Sequence, residues 1–509
     1  MPDQGVDEII TQFKHKRAYI QYGGARPANS VRYAGQDAQY MAINGVSAPE
    51  SGGIDPIWVP DPSRQTKWRL VGKSISTPDL AAADVVFREK HGVISRALLR
   101  SCPFNLYEVT GACGQLQDFT GGWTDYVLIY SGAVVTDKDL GDRITFDSDD
   151  AIEDTLSVTL DDIYPIGPLG FGENAGPEIS REVVDVVFAP AKSCANCDNG
   201  DQRIYAVTTS SGAGSPGLPP ELIYSVDAGI TWAQTSINGM GATETTYAID
   251  VAGEYVVVIG TDAYYYAQIN QKTGVPGTFT KVVTGLVALK SPRDIYVASP
   301  REIYIVGLGG YLYRTDDITA GVDVLNAGSV TTSNLLRVHG KDEVIVATGA
   351  NGIVLKSVNR GATWAVTTAN PENLASIQAV SVLGSERMWV GTSTGRVYST
   401  QDGGETWQQL SHPNLSGSVQ DILFPTQEVG YISFADSTPT AYLLTTWNGG
   451  ANWTKNQYRI LNYPVFDRGN RLAAPSTDDA GWAANTLVVA GLAGDGTDGI
   501  IIVAQTSKL

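Results

Sequence analysis

From about residue 185 onward, apolar residues fall in short runs, many of them β-branched, separated by Gly, Asn and Asp. Glu302–Val306 is followed by Tyr311–Tyr313, Glu343–Val346 by Ile353–Leu355, and Met388–Val390 by Val397–Tyr398. Runs of this length bounded by turn formers predict antiparallel strands joined by hairpins. The strand sets begin near residues 185, 246, 292, 335, 378, 419 and 470. An all-strand unit recurring at this spacing predicts a β-propeller blade, and seven copies predict a seven-bladed ring over residues 176–509.

A turn repeats with the blades. Ser225-Val226-Asp227-Ala228-Gly229-Ile230-Thr231-Trp232 is matched by Ser357–Trp364, Thr400–Trp407 and Thr446–Trp453. The shared pattern is Ser or Thr, then Asp or Asn two residues on, Gly after two more, Thr or Asn after a further two, and a closing Trp. The Trp residues are spaced by 132, 43 and 46 residues, so two eroded copies are expected in the longest gap, near Tyr264–Gly277 and Tyr311–Asp317. An Asp or Asn side chain accepts backbone N–H groups along a turn, Gly takes a conformation other residues resist, and Trp buries a large ring. Asp227, Gly229, Trp232, Asn359, Gly361, Trp364, Asp402, Gly404, Trp407, Asn448, Gly450 and Trp453 are therefore expected to be structural staples.

These four turns resemble Asp-boxes, or BNR repeats. Such boxes occur in sialidases, sortilin-type receptors, xyloglucan-active hydrolases and photosystem II assembly factors of the Ycf48 type. The resemblance implies a box at the outer edge of each blade, between its last two strands and away from the central channel. It carries little about function.

The seventh strand set ends without a box or fourth strand. A ring must close to remove its sheet edges, so the missing strand is expected within residues 176–184, where Glu178–Val184 has a suitable composition. Residues 1–175 show no repeat and are expected to form an α+β or mainly β assembly domain. A short helix is expected over residues 5–16, strands at Ala83–Phe87 and Asp125–Tyr130, and a helical segment at Val93–Leu99.

Charge changes the picture of partners. The chain carries a net charge of −19, which argues against nucleic acid, because counterion release needs basic groups. No apolar run is long enough to span a membrane as a helix, and the N-terminus lacks a basic and apolar leader. Residues 1–100 carry a net charge of +3 and residues 101–180 of −13. Such a split suits self-association through complementary faces.

Candidate chemistry is sparse. Cys194 and Cys197 form a CxxC, with Cys102 and Cys113 elsewhere, leaving zinc, disulfides and free thiols open. His15, His91, His339 and His412 are isolated. The cluster Asp147, Asp149, Asp150, Glu153 and Asp154 lacks the Gly and final Glu of an EF-hand loop. Sialidases carry an aromatic-Arg-Ile-Pro motif before the first box, whereas Tyr458-Arg459-Ile460-Leu461 lacks the Pro and follows the last box. No catalytic, cofactor or metal residue is assigned.

These features lead to the expectation of a non-enzymatic bacteriophage structural protein of the tail tube or surface. Residues 1–180 would bind copies of the chain and other virion proteins, and the propeller would meet a host-surface glycan or protein, outside the cell on the particle. The alternatives are a cytoplasmic, protein-binding propeller of the assembly-factor type and a glycoside hydrolase with its site in the channel.

Overall fold

The computed structural model describes residues 179–189, 203–210, 217–286, 291–299, 302–325, 329–412, 417–436, 441–451, 453–457, 459–460, 463–464, 468–475, 486–493 and 498–506, and, before residue 172, residue 160 and the strands named below. Two compact units divide the chain. Residues 1–117 with 124–166 form one, and residues 167–509 with 118–123 form the other.

In the first unit the described elements are strands. An antiparallel sheet runs in the order Phe13–Tyr22, Phe104–Ala112, Tyr126–Leu140, Glu153–Thr159, Ala83–Arg88 and Val46–Ser47, with Asp162–Ile166 also paired to Tyr126–Leu140. Ile54–Pro60 and Trp68–Ile75 form a separate hairpin. The strands expected around residues 83–87 and 125–130 are present. The helix expected over residues 5–16 is corrected at its C-terminal end, where Phe13 to Lys16 pair with Phe104–Ala112. A long partner strand supplies hydrogen bonds that outweigh a weak helical preference. Val93–Leu99 lies outside the described residues.

The second unit is a ring of seven four-stranded antiparallel sheets. Blade 1 comprises Val183–Phe188, Ile204–Thr208, Glu221–Ser225 and Ala233–Ser236; blades 2 to 6 repeat this meander, their first strands beginning at Ala248, Pro292, Leu335, Ile377 and Gly417. Blade 7 combines Arg468–Ala473, Thr486–Leu492 and Gly499–Thr506 with a fourth strand, Leu169–Phe171, from before blade 1. Closure by an upstream strand holds, but its position is corrected from residues 176–184 to 169–171. The reason is distance. A fourth strand is peripheral and the next first strand is axial, so a connecting loop must separate them, as residues 237–247 do between blades 1 and 2. Ile179 lies in that connection and makes an isolated bridge to Gly499.

The second strands explain the continuous apolar runs. Ile204–Thr208, Ile303–Gly307, Val344–Gly349 and Met388–Thr392 are buried along their whole length, because neighbouring blades cover both faces of each sheet. The core lies between blades. Tyr205 and Leu222 of blade 1 pack with Val256, Val258 and Tyr265 of blade 2, and the Trp389 and Phe424 rings stack 3.8 Å apart between blades 5 and 6.

Candidate functional site

The four repeated turns share one hydrogen-bond scheme. The Thr231, Thr363 and Thr406 N–H groups donate to Asp227, Asn359 and Asp402 Oδ1 at 2.8, 2.9 and 2.9 Å. The Ser or Thr that opens each box accepts the N–H of its Gly: Gly229 on Ser225, Gly361 on Ser357, Gly404 on Thr400 and Gly450 on Thr446, all within 3.0 Å. Burial opposes ionisation of Asp402, but the hydroxyl and N–H of Thr406 with the Thr400 hydroxyl outweigh it and hold the carboxyl at about 2.

Each box also faces the preceding blade. A Cβ on Gly229 would overlap Val503 of blade 7; on Gly361 it would lie 2.7 Å from Tyr304 of blade 3, and on Gly404 2.7 Å from Thr367 at the end of blade 4. The eroded turns keep this contact without Trp. The Tyr205 hydroxyl donates to Gly274 O at 2.7 Å, and Tyr264 donates to Ile318 O at 2.7 Å. Tyr304 repeats the tie to Arg360 O at 2.7 Å. Trp232, Trp364 and Trp407 are half-buried and Trp453 is buried.

The innermost strands hold a buried cluster of charge. At equivalent register positions they present Asp185, Asp294, Arg337, Asp421 and Arg471, with Ala248 and Ala379 in blades 2 and 5. Arg471 is central: Nε lies 3.3 Å from Asp185, Nη2 3.1 Å from Asp294 and Nη1 3.8 Å from Asp421. Burial opposes its charge, yet the three carboxylates outweigh that and raise its pKa. Burial pushes Asp185 up to about 6 and raises Asp421, while Arg471 pulls both down. Arg337 is lowered by burial and by Arg471.

The same strands carry a directional set of ties. Asp185, Asp294 and Asp421 each accept a backbone N–H of the next blade on Oδ2, from Ile249, Val338 and Leu472, all at 2.9 Å. Where this position is not acidic, the residue two further on or its counterpart takes over. Asp250 accepts from Val297 at 2.8 Å, His339 Nδ1 from Val382 at 3.1 Å, and Ser381 Oγ from Phe424 at 3.0 Å. Asn470 completes the circuit by donating to Val183 O at 2.8 Å. One tie therefore joins every neighbouring pair of blades. Burial pushes Asp250 up to about 7 and His339 down to about 4.

Sequence reasoning missed this ring: its residues recur at related strand positions, but their identities change from blade to blade. His339, isolated in the sequence, is one of the ties. His412 sits near the Phe434 ring, with centroids 6.2 Å apart. Tyr264 and Tyr265 are buried and Tyr266 half-buried. Arg293 lies over the Tyr247 ring at 4.2 Å. Cys102, Cys113, Cys194, Cys197, His91 and Asp147 to Asp150 lie outside the described residues, as do the side chains of His15, Glu153 and Asp154. Among the described residues no helix is long and apolar enough to cross a membrane, and no group of three potential metal ligands occurs.

Comparison with known proteins gives a family match over residues 282–462, to the family described as photosynthesis system II assembly factor YCF48. A curated relative, the photosystem II assembly lipoprotein Ycf48 of Synechococcus sp. (strain CC9902), is 23% identical over 172 residues, 33% of this chain and 50% of the relative. The chain thus spans about half the length of that relative. Similar solved structures include YCF48 from Cyanidioschyzon merolae, 13% identical over 65% of this chain and 98% of that one, with a TM-score of 0.47. A second, YCF48 bound to D1 peptide, is 14% identical over 67% and 98%, with a TM-score of 0.48. The expectation of a virion structural subunit on a phage particle is corrected by the sequence matches, which point to the assembly-factor alternative. Over residues 282–462 the chain is Ycf48-like, and its C-terminal unit is a seven-bladed Asp-box propeller.

Proposed function

We infer that this chain is a non-enzymatic, protein-binding propeller of the assembly-factor type, whose partner is a polypeptide segment of a larger complex. The observation that carries the reading is the family match across residues 282–462, which span parts of blades 2 to 6. A peptide-bound relative has the same class of partner in its description. The partner is carried over as a class, a polypeptide, because the sequence relative aligns with 33% of this chain.

The channel chemistry supports binding over hydrolysis. Asp185, Asp294 and Asp421 each commit one oxygen to the next blade's backbone and the other to Arg471. A glycosidase needs one carboxyl free to donate a proton and a second free to attack or to activate water. Carboxylates tied into backbone and guanidinium bonds are poorly placed for either role.

Affinity capture with the purified chain, followed by calorimetric titration of each recombinant captured protein, tests the inference. Saturable binding that a synthetic segment of the partner competes away is expected. Hydrolysis of a glycan panel that is lost on substituting the channel carboxylates, with no protein bound, would replace it with an enzymatic reading.

A further inference from the structure

In a four-stranded meander the turns between strands 1 and 2 and between 3 and 4 lie at one end, and the other connections at the opposite end. Over blades 3 to 5 these two ends differ in chemistry. Among the described residues, the box-bearing end has ten charged residues in its turns, among them Asp316, Asp342, Glu386 and Glu405. The opposite end, described over residues 308–311, 325, 329–334, 350–353, 367–376 and 393–396, has two among those residues, Glu372 and Arg396, and they pair with each other at 2.8 Å. The rest of that end is dominated by Ser, Thr, Asn, Gly and Ala.

Out of this neutral surface projects Leu374, 88% exposed and held at φ 71°. A left-handed backbone is unfavourable for a branched, non-glycine residue, and such strain persists only where surrounding bonds enforce it. They do so here. Gly352 N–H donates to Ala375 O at 2.6 Å, Thr394 and Arg396 hold Glu372, and Ser376 and Ser393 bond to each other through 2.8 and 3.2 Å contacts. The loop is fastened to blades 4 and 5 on both sides of a leucine that remains in water.

We propose that this neutral end of blades 3 to 5 is the seat of the partner polypeptide, with Leu374 as its rigid apolar anchor. The inference rests on the protein-binding reading above and adds to it the chemistry of the partner segment: uncharged, extended and carrying an apolar side chain. Charge complementarity favours that occupant. A charged segment buried on this surface would lose its hydration with no counter-charge to meet it, since the surface's own two charges already neutralise one another. Ser, Thr and Asn side chains can pair with the backbone groups of an extended segment, and a pre-organised apolar anchor lowers the cost of ordering on binding.

The test uses the full chain and arrays of short synthetic peptides in three compositions: uncharged with central Phe or Leu, Lys-rich and Asp-rich. Retention of the uncharged class, insensitive to salt, is expected. Leu374→Gly should weaken it roughly tenfold while leaving the melting temperature unlowered, because Gly accepts the backbone angle. Glu405→Gln, on the box-bearing end, should leave affinity unchanged. Preference for a charged class, or affinity unaltered by Leu374→Gly, would overturn the proposed seat and leave the protein-binding reading intact. Retention of no class, with no protein captured, would overturn both.

Discussion

At the scale of single residues, the box glycines and the axial histidine make separable claims. Gly229 stands at φ 89°, and a Cβ there would overlap Val503 of blade 7. Gly229→Ala should cost about 1–3 kcal/mol by urea denaturation, combining an unfavourable angle with overpacking. An unchanged urea midpoint would show that the box does not brace the neighbouring blade. His339 makes a pH-dependent contribution. Its Nδ1 must be unprotonated to accept the Val382 N–H, and burial lowers its pKa to about 4. A depressed folded-state value gives stability that is present above about pH 6.5 and lost as pH falls toward 4, on the order of 3 kcal/mol in all. His339→Gln keeps an acceptor and cannot charge. Its stability relative to wild type should therefore rise as pH drops through that window, and a constant difference would refute the assignment.

Among elements, the innermost strands set the blades' mutual order. Arg471 bridges carboxylates from blades 1, 3 and 6. Arg471→Met should destabilise by about 3–5 kcal/mol, because three buried carboxylates lose their counter-charge. Partial recovery is expected when Asp421→Asn is added, and its absence would count against the axial ion cluster. The outer turns were readable from sequence because their Asp, Gly and Trp are fixed by local geometry, so the same letters recur. The axial ties were not. Asp, His, Ser and Asn all do that job, and alternation between two levels of the strand scrambles the letter pattern even though the backbone bond recurs. The exposed Leu374 left no signal either, since a lone apolar residue in a loop looks ordinary until its backbone angle is seen.

For the whole molecule, blade number and approximate boundaries follow from spacing, while the closing strand lies further upstream than its composition suggests because a loop must carry the chain from rim to axis. Leu169–Phe171 pairs with Ala504–Thr506 in register. A chain beginning at residue 176 should expose that edge and show self-association by light scattering together with a lower melting temperature. A synthetic peptide spanning residues 165–175 should reverse both. Monomeric behaviour at full thermal stability would mean that the seam adds nothing. The split between a charged and a neutral end over blades 3 to 5 was invisible in the net charge of −19, which averages over ends that only the strand order separates.

The seam also has a consequence in time. During synthesis its first half, at residues 169–171, leaves the ribosome before any blade exists, and its second half follows only after six blades have been made. Until then the nascent arc stays open, with a raw border at each end and no completed axis. Closure is thus a single late event between distant stretches of chain, the kind of step that topology makes slow. A chaperone that shields strand borders during translation should raise the yield of closed rings more than one that acts after release.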